Sequence, residues 1–194
     1  MRFPAVTLRP PDWVEDFLPE DGVYPTVEDR VRLAIELSRS NIHHGTGGPF
    51  GAAVFERGSG RLLAPGVNLV TSTGCSVLHA EMVAIMIAQR MLEYFDLGGP
   101  GAPPYELVTS TEPCTMCLGA TVWSGVRRLA CGARDEDAGE IGFDEGPKPP
   151  EWARTLEARG IEVRRDVLRD EAASVLREYA REGGELYNAR QGGS

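Results

Sequence analysis

A histidine, two cysteines and a glutamate are spaced in this chain as metal ligands and a general base are spaced. His79 lies in Val77-Leu78-His79-Ala80-Glu81, and Cys114 and Cys117 lie in Pro113-Cys114-Thr115-Met116-Cys117. A three-ligand nitrogen/sulfur set suits Zn²⁺ and leaves its fourth tetrahedral position open for water. Cysteines three residues apart turn to one side of a helix, so the spacing predicts a helix beginning at Pro113. Proline is tolerated at a first helical position because its missing N–H would be unpaired there. A helix N-terminus and a metal both favour thiolate over thiol. Glu81, two residues past His79, is within reach of a metal-bound water without being a ligand. Zn²⁺ lowers the pKa of such a water toward about 7, and a carboxylate can take the proton to leave a hydroxide. The matching target is an electrophilic sp² carbon bearing an amine beside a ring nitrogen, from which ammonia departs after a second proton transfer. The expectation is one Zn²⁺ per subunit with a bound water or hydroxide, held by His79, Cys114 and Cys117 and served by Glu81.

These residues need elements to hold them. Prolines at positions 4, 10, 11, 19 and 25 predict an irregular N-terminal arm over 1–25, with Trp13 and Phe17 packing down on the domain. Thr26 is placed to cap a helix, with Asp29 completing an approximate capping box, and Val27, Val31, Ile35 and Ile42 keep helical period. His43 and His44, in its last turn, read as surface residues. Residues 50–56 and 62–70 read as a hairpin turning at Arg57-Gly58-Ser59-Gly60. Residues 78–97 read as a long helix stopped by Gly98-Gly99-Pro100, and 105–110 as a buried strand leading to the cysteine helix. A strand at 127–133, an acid- and glycine-rich loop at 134–150, then helix, strand and helix at 151–159, 161–167 and 170–182 complete a single domain over 26–182. Residues 183–194 read as a tail, and Leu186-Tyr187-Asn188 is apolar enough to serve as an active-site lid. The fold class is α/β, with an antiparallel hairpin followed by parallel strands joined by helical crossovers. Both ligand segments fall at strand-to-helix junctions, the edge where α/β proteins usually bind ligands.

The paired motifs, in this order and with proline before the first cysteine, resemble those of the cytidine/deoxycytidylate deaminase-like zinc deaminases. The likeness runs from about Gly48 to Asn188. Gly48-Pro49-Phe50-Gly51-Ala52-Ala53-Val54, Thr111-Glu112-Pro113-Cys114-Thr115-Met116-Cys117-Leu118-Gly119-Ala120 and Glu140-Ile141-Gly142-Phe143-Asp144-Glu145 look most like bacterial guanine deaminases. The last segment discriminates best from tRNA adenosine deaminases. The resemblance implies a three-layer α/β/α sandwich around a mixed five-stranded sheet, a homodimer, and hydrolysis of guanine to xanthine and ammonia. It also implies that Asn68 binds the purine edge, Trp123 backs the pocket and Glu145 is a second proton shuttle. Ala80, Phe50 and Tyr187 are further candidates for contact with the substrate. Each has a plainer alternative: core packing for Phe50 and Trp123, a turn for Asn68, a solvated loop acid for Glu145, and packing on the final helix for Tyr187.

Composition narrows the partners. With 194 residues and a formal net charge of −9, the chain lacks the clustered basic residues that neutralise phosphates. Residues 151–194 hold eight Arg and nine Asp plus Glu, so the C-terminal segment offers no basic face to RNA. No apolar run is long enough to span a bilayer, and the first 25 residues do not have the pattern of a secretory signal, so the expected location is cytoplasmic. Four cysteines would permit two disulfides, but two have ligand spacing, and Cys131 reads as a small buried hydrophobe. Competing functions are deamination of guanosine, ammeline, cytosine compounds or tRNA adenosine by the same chemistry, a non-catalytic zinc module, and a dithiol redox motif. A structural zinc site would normally use four protein ligands, and a redox pair would not need the matching His-Ala-Glu.

Overall fold

The computed structural model describes residues 3–20 and 22–188. Five strands, β1 (Gly51–Glu56), β2 (Leu62–Val67), β3 (Tyr105–Thr111), β4 (Arg128–Ala133) and β5 (Glu162–Arg164), form one sheet in the order β2-β1-β3-β4-β5. β1 pairs antiparallel with β2 and β3, while β3, β4 and β5 run parallel. Alternation along β1 sends Ala53 and Phe55 to one face and Ala52 and Val54 to the other, all fully buried. On the first face lie α2 (Val27–His43), α6 (Asp135–Glu140) and α8 (Arg169–Arg181); on the second lie α4 (Ala80–Met91), α5 (Thr115–Ser124) and α7 (Trp152–Glu157). The result is the expected three-layer α/β/α sandwich. The Thr26 capping box is present: Asp29 N donates to Thr26 Oγ1 at 3.1 Å and Thr26 N to Asp29 Oδ2 at 3.2 Å.

Several boundaries differ from expectation, each for a local reason. The arm is not wholly irregular, since α1 (Asp12–Phe17) forms between its prolines, with Pro11 at the N-cap where no N–H is needed. Trp13 packs down as expected, stacked on His44 at 4.9 Å, whereas Phe17 stays partly exposed. β2 stops at Val67, and Val70–Thr73 forms the short helix α3 instead. The 78–97 helix is shorter at both ends: His79 is its N-cap, and it ends at Met91. The cysteine helix begins after Cys114, which caps it, so Pro113 stands just outside. The 134–150 loop contains α6, which is favoured by three acidic residues in its first turn and by Arg134 N donating to Asp137 Oδ2 at 2.7 Å. β5 covers only three of the seven residues expected.

One close approach fixes the height of α4 on the sheet. A Cβ at Gly66 would lie 2.2 Å from Ala80 O and 2.6 Å from Ala84 N. Glycine there lets the first turn of α4 rest directly on β2, and that turn carries Glu81.

Candidate active site

Both ligand segments are helix caps. His79 and Cys114 are in extended conformations at the N-caps of α4 and α5, with Cys117 one turn into α5. The ligand atoms of His79, Cys114 and Cys117 all lie within 4.8 Å of one another, with Cys114 Sγ 3.5 Å from His79 Nδ1. That spacing and donor set fit a tetrahedral Zn²⁺ with one position left over. The electrostatics fit as well. The Cys117 thiol donates to Cys114 and, against the cost of burial, holds Cys114 down to about 4, so it is a thiolate at neutral pH. The same hydrogen bond and burial push Cys117 up, so the pair shares one proton that a metal would displace. For His79, burial favours the neutral ring, but the hydrogen bond to Cys114 and then the Glu81 and Cys114 charges outweigh it and raise the pKa.

Three carboxyls whose pKa is raised chiefly by burial line the cavity beside this set, Glu81, Glu145 and Glu112, and Glu112 is engaged by Arg165. Glu81 is 7% exposed, and burial followed by the Cys114 thiolate raises its pKa. Burial, followed by the Cys114 and Glu81 charges, pushes Glu145 up to about 8. A carboxyl tuned as Glu145 is holds and releases a proton near neutral pH, as a shuttle must. A cavity of about 160 Å³ is lined by His79, Cys114, Glu81, Glu145, Phe50 and Tyr187, among others. The Phe50 ring stands edge-on to Phe143 at 5.0 Å, and Tyr187 likewise at 5.1 Å, so three aromatic rings wall one side.

The Glu145 loop is fastened to the metal segment. Thr115 N donates to Glu145 O at 3.0 Å. Lys148, the chain's single lysine, ends that loop with its side chain 5% exposed. It pairs with Asp135 and lies 3.8 Å from Glu112, which Arg165 Nε also reaches at 2.6 Å. At the loop's other end, Arg169 grips Asp137 of α6 through two hydrogen bonds of 2.9 Å.

Of the residues expected at the site, the fold brings His79, Glu81, Cys114, Glu145, Phe50 and Tyr187 to one cavity, which Asn68 does not line, and it places the Cys117 ligand atom within 4.8 Å of those of His79 and Cys114. Asn68 is buried next to β2; its Oδ1 accepts from Val70 N at 3.2 Å and its Nδ2 has no partner among the described residues. The Tyr187 hydroxyl is also buried without a partner among the described residues. Ala80 packs into the core and does not line the cavity. Trp123 is not brought to the pocket: it is 85% exposed on the outer face of α5, beside a separate surface cleft. Six residues at roughly 100° each set Trp123 about 120° around the helix from Cys117, so helical spacing itself turns it away from the ligand face. Several cavity residues carry no separate signal in the sequence, among them Ser76, Thr109, Ser110 and Phe143, and Asn188 carries none beyond its place in an apolar stretch.

The model of the cytidine and deoxycytidylate deaminase zinc-binding region matches residues 26–133. The guanine deaminase of Bacillus subtilis (strain 168) is 36% identical over 69% of this chain and 81% of its own. A solved guanine deaminase from Nitrosomonas europaea superposes with a TM-score of 0.87 at 48% identity, covering 91% of this chain and 97% of that one. A crystal structure of a protein in complex with 2,6-diaminopurine gives a TM-score of 0.89 at 49% identity, over 96% and 98%.

Proposed function

We propose, for a chain that belongs to the cytidine and deoxycytidylate deaminase zinc-binding family, the hydrolysis of guanine to xanthine and ammonia. The observation that carries this reading is the His79, Cys114 and Cys117 set beside a small cavity lined by the buried Glu81 and the half-buried Glu145, both tuned upward. The names of the similar proteins point to guanine among amino-heterocycles. Bound zinc supplies Lewis-acid activation of the attacking water. Glu81 takes a proton from that water and delivers it to the ring nitrogen beside the amine-bearing carbon. Glu145 supplies the proton with which the amine leaves as ammonia, since an amine departs badly as an anion. The unpartnered Asn68 Nδ2 and Tyr187 hydroxyl are hydrogen-bonding groups for the base, because buried donors left unpaired are costly. Phe50 and Phe143 hold the ring plane, and the tail closes over it to exclude water.

The reading includes a homodimer and a cytoplasmic setting. From Thr115 to Val126 no residue is charged, yet the outer face of α5 leaves Gly119 and Trp123 in solvent beside half-buried Met116 and Ala120. Met86 of α4 adds to that side. A helix apolar all round is normally covered, and a second copy would cover this one. Trp123 then belongs to the subunit contact and not to the pocket. Four free cysteines, two of them ligands, suit a reducing compartment. None of the helices among the described residues is long and apolar enough to cross a membrane.

Ammonia release from guanine, guanosine, ammeline, cytosine, cytidine and adenine, measured side by side, tests the substrate. Guanine is expected to be turned over fastest. A clear preference for cytidine, or for adenosine in tRNA assayed in parallel, would overturn the guanine reading while leaving the zinc chemistry in place.

A further inference from the structure

The tail does more than cover the cavity. Asn188 Nδ2 donates to Gly142 O at 2.7 Å, and Asp144 N donates to Asn188 Oδ1 at 2.9 Å. One carboxamide thereby satisfies a carbonyl and an amide two residues apart, as a neighbouring strand would. Only a side chain with both a donor and an acceptor does this. Phe143, between the two bonded residues, is buried, and Glu145 follows directly. Glu145 therefore sits between two anchors, Asn188 from the tail and Thr115 from the metal-bearing segment. The seat for the tail is built into the loop. Gly142 has φ +103°, and a Cβ there would lie 2.8 Å from Leu186 Cδ1. Tyr187 packs its ring on Phe143 at 5.1 Å.

We propose that Asn188 is a positioning residue for Glu145, so that closure of the tail and placement of the second proton shuttle are one event. This rests on Glu145 acting in the deamination proposed above. Asn188 acts through the backbone on either side of Phe143. Removing it frees the loop at Asp144 and leaves the metal ligands and Glu81 in place. Displacing a catalytic group by about 1 Å costs up to roughly a hundredfold in rate.

Two measurements test it. In Asn188→Ala, the Asp144 amide is expected to exchange with solvent faster than in the wild type, with zinc content and melting temperature unchanged. Its kcat, on whichever base the wild type turns over fastest, is expected to fall by about tenfold, with KM affected less. In a Glu145→Gln background the same substitution is expected to leave kcat where it was, because both changes disable one group. Asn188→Asp, which keeps the acceptor for Asp144 N and loses only the donor to Gly142 O, should loosen the Asp144 amide less than Asn188→Ala does. Unchanged exchange at Asp144 would overturn the clasp whatever the substrate. Multiplicative effects of the two substitutions, or a rise in KM alone, would overturn its link to Glu145. Failure of the wild type on guanine would instead sink the substrate assignment and leave the exchange result readable.

Discussion

His79, Cys114 and Cys117 hang from two helix N-termini that stand on a five-stranded sheet, whereas Glu145, Phe143, Tyr187 and Asn188 come from segments without regular structure. The two regions face each other across one cavity. The first is fixed by sheet ladders and a buried core. The second is fixed by a handful of contacts: Thr115 to Glu145, the ion pairs of Lys148, Arg169 on Asp137, and the Asn188 clasp. Rigid scaffolds commonly carry the reactive centre while less ordered segments admit and enclose the ligand. Damage to the first region should abolish the reaction, and damage to the second should grade it.

The sharpest break comes from Cys114→Ala. A thiolate ligand and a cross-link between α4 and α5 are lost together, so zinc content, melting temperature and activity should all fall. Metal analysis and thermal unfolding read this directly, and a variant that keeps stoichiometric zinc would show that the ligand set is wrong. Glu145→Gln should keep zinc and stability while turnover of guanine drops at least tenfold, about 1.4 kcal/mol of barrier. It should raise KM less than Asn68→Ala does, since the proposed part of Asn68 is to bind the base and not to move protons. Deleting residues 184–194 should lower turnover several-fold with zinc retained, because water exclusion and the Asn188 clasp go together. Unchanged melting temperature, KM and kcat in the truncated protein would remove the tail from the mechanism.

The smallest effect is expected where the loop leaves the scaffold. The Arg169 guanidinium holds the Asp137 carboxyl below its ordinary pKa. Its contribution to stability is therefore complete above the ordinary carboxylate range and disappears as pH falls through the lowered folded value. Asp137→Asn should cost about 1 kcal/mol at pH 7, and the gap to wild type should close toward pH 3. Urea unfolding at the two pH values checks it. A gap that stays constant would mean that the carboxylate's charge is not what holds α6.

What could be read from the sequence follows the same division. The ligands and Glu81 were legible because a metal demands particular atoms at particular spacings; the order of elements carried the α/β class, and the three-layer sandwich followed from the resemblance of the paired motifs to a family with that fold. Boundaries near the site were harder to read. His79 and Cys114 became caps because an extended residue at a helix start aims its side chain outward, a matter of backbone geometry that residue type does not encode. The acid- and glycine-rich 134–150 stretch concealed α6, whose stability comes from Asp137 bonding to Arg134 and Arg169. Trp123 illustrates the opposite case, a correct helix with the side chain on its solvent face. Asn188 was invisible because its role depends on a contact 46 residues away in the chain.

Glu81→Gln gives the most direct test of zinc-dependent proton transfer on guanine. It keeps the shape and hydrogen bonding of the wild-type residue but cannot take a proton. Xanthine formation and zinc content should be measured together in the wild type and the variant. The expected result is one zinc per subunit in both, rapid xanthine formation by the wild type, and a rate roughly 10²–10⁴ lower in the variant. Near-normal xanthine formation by zinc-loaded Glu81→Gln, or full wild-type activity without stoichiometric zinc, would contradict it.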